Sequence, residues 1–274
     1  GNIIMFEKYN LTKPDNLVEL FEQSIKNYPD RPCLGTKNKD GEYEWITYRE
    51  MGQRIDNLRG GLVNAGLKKG DVVGIISNNS VDWAVIHFAV AGVNAMLVPM
   101  YEAELLHIWE YIIKDSAVKF LFVSKPEIYE KIKDFPSKLP TLEKIFLMTG
   151  SGDNTLAALE TIGAKNPVAP VYPSPDDVAV LVYTSGTTGD PKGVLLMHGN
   201  WTSNHHARTV AYTNFNQDDR TVSHLPWAHC YGLGELHTFT AVGGSLGFLE
   251  SPTTIVEDMA KIRPTFLISV PKIF

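Results

Sequence analysis

Between Tyr183 and Gly193 the chain sets four hydroxyls, Thr184, Ser185, Thr187 and Thr188, among two glycines, Gly186 and Gly189, and one ammonium, Lys192. Hydroxyls and bare backbone N–H groups are donors that a polyphosphate accepts from, and lysine adds a point charge. Glycine lets the backbone turn tightly and come close to a ligand. A plain surface turn also favours Gly, Ser, Thr and Pro. It does not require that density of hydroxyls beside a lysine, directly after the apolar run Val178 to Val182. The common P-loop pattern, G-x-x-x-x-G-K-[ST], fails at two places. Counted from Gly186, the second glycine is Pro191 and the hydroxyl after Lys192 is Gly193. Residues 193–197, GVLLM, read as a strand, so no helix start is offered to the phosphate.

A second candidate is His229, in Leu225-Pro226-Trp227-Ala228-His229, with Trp227, Tyr231 and Gly232 beside it. A histidine taken alone is as readily a satisfied packing residue as a ligand. His205 and His206 are adjacent and would point apart on a helix. His224, His229 and His237 lack zinc-site spacing. Glu102 and Glu104 read as the acidic start of a helix rather than a catalytic pair. The two cysteines, Cys33 and Cys230, form no CxxC and no disulfide framework, which suits thiols of a cytoplasmic protein.

The elements that carry these residues alternate. Asn16 with Glu19, and Thr47 with Glu50, have capping-box spacing. The first opens a helix through Ile25, the second a helix with Met51, Ile55, Leu58 and Leu62 on one face, closed by Gly66. Strands are expected at 71–76, 96–98, 120–123 and 145–148, and helices after Asn79, at 105–113 and at 127–133. Further strands are expected at 178–182, 193–197, 221–225, 245–249 and 266–270. Helices are expected at 200–212, 233–241 and 254–262. This pattern predicts a doubly wound α/β fold, with mainly parallel sheets and helices on both faces. Four prolines, Pro167, Pro170, Pro173 and Pro175, mark an extended connector. The expected organisation is a first α/β subdomain at 10–165, a connector at 166–177, and the start of a second subdomain at 178–274.

The chain has 274 residues, 31 acidic and 25 basic, for a formal charge of −6. That balance offers no basic footprint for nucleic acid. The 44% hydrophobic and 20% charged content is that of a globular protein. Residues 83–101 lack Lys, Arg, Asp and Glu, but His87, Gly92, Asn94 and Pro99 interrupt them. A buried helix followed by a buried strand explains that run better than a membrane span. No secretory signal pattern opens the sequence.

Taken together, YTSGTTGDPKGV at 183–194 resembles the signature loop of the adenylate-forming superfamily: acyl-CoA synthetases, luciferases and peptide-synthetase adenylation domains. Trp45 to Glu50 is similar to that family's W-x-T-Y-x-E/D segment. Lys69 to Val73 with the Asn of Asn78-Asn79 is similar to its G-D-x-V entry, His198-Gly199-Asn200 to its H-x-N, and Leu225 to His229 to its LP-x-x-H. Val98-Pro99-Met100-Tyr101-Glu102 and Ser269 to Phe274 resemble segments of the long-chain fatty acyl-CoA synthetases, with Lys272 where that branch has Arg.

The resemblance implies a two-step reaction. A carboxylate, a long-chain fatty acid in the branch named, attacks ATP to give acyl-AMP and pyrophosphate, and coenzyme A then takes the acyl group. It implies that Thr184, Ser185, Gly186, Thr187, Thr188, Gly189 and Lys192 hold phosphate, with Thr184 also near Mg2+. It further implies that His229 acts at the carboxylate and that Trp227, Tyr231 and Gly232 line the acyl site. The family's acidic Mg2+ ligand, ribose-binding Asp, hinge and C-terminal lysine have no counterpart up to Phe274, so the chain alone is expected to lack ligase activity. Two alternatives stay open: an acyl-AMP ligase or adenylation domain that loads a carrier protein, and a non-catalytic nucleotide-binding module. The expected setting is cytoplasmic. A fatty acid substrate leaves room for peripheral contact with a membrane, without an integral segment, and the oligomeric state is open.

Overall fold

The computed structural model describes residues 13–185, 189–203 and 215–267. The chain divides into two compact units, one of Gly1–Gly52, Asn79–Val81 and Gly199–Phe274, the other of Gln53–Asn78 and Asp82–His198. This division differs from the subdomain limits expected from the prolines. Residues 167–174 do lack regular structure, but the strands before and after them belong to one sheet, Leu97 pairing with Val180.

In the second unit the strands are β3 (Val72–Ile76), β4 (Met96–Met100), β5 (Phe120–Val123), β6 (Lys144–Leu147), β7 (Val178–Thr184) and β8 (Lys192–Met197). They form a six-stranded sheet in the order β6-β5-β3-β4-β7-β8. All neighbours are parallel except β7 and β8. Successive strand residues face opposite sides, so Val72 and Ile76, Val98 and Met100, and Leu121 and Val123 share one face. That face packs on Trp109, Ile112 and Ile113 of α4 (Leu106–Asp115) and on Ile128 and Ile132 of α5 (Pro126–Ile132), with Phe135 of the short α6 (Phe135–Lys138). Burying each such side chain stabilises by about 1.5–3 kcal/mol.

The stretch without charges resolves into α3 (Val81–Ala91), in which residues 83–91 are all buried, followed by β4. No helix among the described residues is long and apolar enough to cross a membrane. Within α3, His87 is 1% exposed and its ring lies 4.9 Å from that of Phe88 and 5.5 Å from that of Trp83. Burial, with His198 nearby, pushes the His87 imidazole down to about 3. His198, fully buried just after β8, is pushed by burial down to about 4.

The sequence pattern missed two helices here, the short α6 and α7 (Leu156–Lys165). Thr155 caps α7, its hydroxyl accepting from the Ala158 N–H. The helix meets the C-terminal half of α2 (Tyr48–Asn64) backbone to backbone: a Cβ on Gly163 would lie 1.6 Å from the Asn57 carbonyl oxygen.

In the first unit β1 (Pro32–Lys37), β2 (Tyr43–Thr47), β9 (Arg220–Ser223) and β10 (Ser245–Phe248) form a four-stranded sheet in the order β2-β1-β10-β9. Only β1 and β2 pair antiparallel. Strands β1 and β2 also escaped the pattern. Asn16 caps α1 (Leu17–Asn27), as its spacing with Glu19 predicts. Thr47 and Glu50 form the reciprocal capping box of α2. The unit is completed by α8 (Cys230–Ala241) and α9 (Ile255–Ile262). On α9 the fully buried Asp258 accepts from the Lys37 ammonium at 2.8 Å, from the Glu250 N–H and from the Thr254 hydroxyl. Residues 198–203 are helical, as expected for the start of 200–212, whose remainder lies outside the described residues. Phe266 and Leu267 are not in a strand, and 268–270 lie outside the described residues.

Candidate functional site

The hydroxyl-rich loop joins β7 to β8 as a hairpin connection. The two strands stay paired up to its mouth, where Thr184 sits opposite Lys192 and Tyr183 opposite Gly193. Thr184, Ser185, Gly189 and Lys192 are exposed there. Gly189 has a φ of +87°, a conformation that an L side chain rarely adopts. Gly186, Thr187 and Thr188 lie outside the described residues. Because β8 follows the loop, its donors are hydroxyls, amides and one lysine, not a helix terminus.

The base of the hairpin is tied down by a residue with no signal of its own in the sequence. The Tyr183 hydroxyl donates to Asp115 Oδ2 at 2.7 Å, at the end of α4. Burial, then this carboxylate, holds the phenol above its ordinary range. A Cβ on Gly193 would lie 3.0 Å from the Tyr183 ring, so the bare backbone opposite leaves the ring its place.

The second candidate region is the turn from β9 to α8. His229 is the N-cap of α8, and its ring Nδ1 accepts from the Tyr231 N–H at 3.1 Å. That bond makes Nδ1 the acceptor and leaves the proton of the neutral ring on Nε2. His229 and Tyr231 are exposed. Trp227 is fully buried with its ring 5.5 Å from Phe248, and Gly232 is buried in the first turn of α8. A Cβ on Gly232 would lie 2.3 Å from the Pro226 carbonyl oxygen and 2.7 Å from that of Leu225. Glycine thus allows helix and turn to touch through their backbones. The structure therefore places His229 and Tyr231 at the surface, with Trp227 and Gly232 packed beneath them.

Asn79 holds this turn. Its Nδ2 donates to the Leu225 carbonyl at 2.8 Å and to Ser223 Oγ at 3.1 Å, and its Oδ1 accepts from the Trp227 N–H at 2.8 Å. In the sequence, Asn79 stood out only as the residue before an expected helix and as part of the Asn78-Asn79 resemblance. Elsewhere, His224 Nδ1 lies 3.2 Å from the Val222 carbonyl oxygen. Cys33 is a buried thiol and Cys230 an exposed one at the start of α8. No group of three or more His, Cys, Asp or Glu side chains among the described residues converges on a metal position.

Comparison with known proteins identifies the family. Residues 21–274 match the family described as AMP-binding enzyme. The chain is 32% identical over 254 residues to fatty acyl-CoA synthetase A of Dictyostelium discoideum, covering 86% of this chain and 37% of that protein. Among solved structures it superposes on a long-chain-fatty-acid-CoA ligase from Archaeoglobus fulgidus with a TM-score of 0.85 and 26% identity, covering 96% of this chain and 53% of that one. On ATP-bound MatB from Rhodopseudomonas palustris the TM-score is 0.77 with 29% identity, covering 94% and 50% respectively. The chain spans about two fifths of the length of the curated relatives it matches. The match to the family model spans residues 21–274, nearly the whole chain, and the chain belongs to the AMP-binding enzyme family.

Proposed function

We propose that this chain is part of an ATP-dependent acid–CoA ligase acting on long-chain fatty acids, which forms acyl-AMP and pyrophosphate and then acyl-CoA. The observation that carries the reading is the β7–β8 hairpin, whose mouth exposes Thr184, Ser185 and Lys192 together. Membership in the AMP-binding family supports it. The fatty acid is inferred from relatives described as fatty acyl-CoA and long-chain-fatty-acid–CoA ligases.

In this reading the loop hydroxyls and amides from Thr184 to Gly189 hold the phosphates, and Lys192 stabilises charge that develops on the leaving pyrophosphate. His229 presents Nε2–H to the substrate carboxylate or the nascent acyl phosphate. Tyr231 borders the acyl group, with Trp227 and Gly232 as the packed support below. A Mg2+ carried by the nucleotide would take few protein ligands, and the exposed Thr184 hydroxyl suits one such contact. When bound, Mg2+ would neutralise phosphate charge. The setting is cytoplasmic, with any membrane contact peripheral.

The test is acid-dependent ATP–pyrophosphate exchange by the full-length protein, across carboxylic acids of increasing chain length. Exchange highest with long acyl chains, and reduced roughly 100-fold by Lys192→Ala, is expected from a lost electrostatic stabiliser. Unchanged exchange in that variant overturns the role of the loop, and preference for a short acid overturns the substrate.

A further inference from the structure

We infer that Asn79 is a positioning residue for His229: its side-chain amide fixes the β9–α8 turn and so sets which nitrogen of His229 faces a ligand. This rests on the role proposed above for His229 and deepens it.

An asparagine side chain offers one acceptor oxygen and two donor hydrogens. Asn79 uses the oxygen and both donor directions on residues 223–227, which are 144 to 148 positions away in sequence. Two of the three bonds go to main-chain groups, the Leu225 carbonyl and the Trp227 N–H. They therefore specify the path of the backbone whatever side chains the turn carries. Trp227 is wholly buried, and Asn79 Oδ1 meets its backbone N–H in place of water.

The path of the turn in turn seats the helix. The Pro226 carbonyl, between the two clamped residues, accepts from the His229 N–H at 3.1 Å. The Leu225 and Pro226 carbonyls also form the surface against which Gly232 packs without a side chain. The first turn of α8 is thus seated on the segment that Asn79 holds. His229 caps that first turn through Nδ1. A shift of residues 225–227 moves the Tyr231 N–H and the His229 ring relative to each other, and the bond that reserves Nδ1 as acceptor is lost. Nε2–H then no longer has a fixed direction. The turn lies at the C-terminal end of the parallel strand β9, where ligands of open α/β sheets bind.

The experiment uses Asn79→Asp, Asn79→Leu and Ser223→Ala in the full-length protein, with His229→Ala for reference. Asn79→Asp keeps the acceptor for Trp227 and loses both donors. Asn79→Leu loses all three bonds, and Ser223→Ala loses only the outermost one. Three readouts are taken: kcat and KM for the fatty acid and for ATP in exchange, the ring ¹⁵N signals of His229, and the circular dichroism spectrum. For Asn79→Leu, kcat falls roughly 100-fold, the scale expected for a misplaced catalytic group, while KM for ATP holds. Its His229 signals move toward the tautomer mixture of free imidazole. Asn79→Asp shows the same changes in smaller measure, which keeps the test informative if the leucine variant folds poorly. Ser223→Ala stays near wild type. Asn79 variants with native kcat and an unmoved His229 tautomer overturn the inference. If His229→Ala itself retains native exchange, the reading of His229 fails, and the ring signals of the Asn79 variants still report whether the turn sets the tautomer.

Discussion

Replacing His87 by leucine should remove a defined part of the chain's sensitivity to acid. His87 is buried in α3 between Trp83 and Phe88, and burial, with His198 nearby, sets its imidazole at about 3. In the unfolded chain the same ring titrates near its ordinary value, about 6.5. The folded value is the lower one, so between the two the unfolded state binds the extra proton and stability rises with pH. The contribution is fully present above about pH 6.5 and is lost as pH falls toward 3. At pH 7 the ring is mostly neutral in both states. At pH 5 the unfolded ring is almost wholly protonated and the folded one is not, which corresponds to about 2 kcal/mol relative to pH 7. Urea denaturation at pH 7 and pH 5 measures this directly. His87→Leu can change stability at pH 7 in either direction, so the informative quantity is the loss between the two pH values. It should be about 2 kcal/mol smaller in the variant than in the wild type. The acid sensitivity due to His198 should remain in both, because burial alone lowers that ring. Equal losses in wild type and variant would refute the reasoning.

Gly232→Ala should destabilise by about 1–3 kcal/mol in urea titrations, as overpacking does, because the new methyl meets the Pro226 carbonyl at 2.3 Å; a gain of about 1 kcal/mol, the helix-propensity expectation, would mean that the turn yields freely. Lys37→Met strands the buried Asp258 carboxylate and should cost about 3–5 kcal/mol, whereas Lys37→Met with Asp258→Leu should recover part of that loss in the same titration. Tyr183→Phe should cost about 1 kcal/mol or less for one lost hydrogen bond and weaken ATP binding by calorimetry if the bond to Asp115 steadies the loop; unchanged affinity would confine the bond to the scaffold.

The legibility of this chain in its sequence varies with the distance over which each signal acts. The strands β3, β5 and β7 are short apolar runs bounded by turn residues, and their placement needs no knowledge of neighbours. The hydroxyl density around Lys192 is likewise local, which is why the loop stands out. Helix α7 hides because the face carrying Gly163 packs on the backbone of α2 and needs small residues there, so the usual apolar stripe is weak. Strand β1 hides because it opens on a proline, contains Gly35 beneath the Trp45 ring, and slips register between Pro32 and Leu34. The work of Asn79 depends on partners more than a hundred residues away. Asparagine between a strand and a helix reads from sequence as an ordinary turn residue.

The antiparallel step at the edge of the larger sheet carries a constraint on how such a loop can vary. Thr184 and Lys192 are direct cross-strand partners, so their side chains rise from the same face of the sheet. Side chains alternate along a strand, so removing one residue within β8 would send the ammonium to the opposite face. Residues between the two anchors can be gained or lost without that reversal, because a longer loop adds little closure entropy. Insertions are therefore tolerated by the tip and forbidden to the stem: the hairpin fixes the parity of the lysine and leaves the length of the loop free.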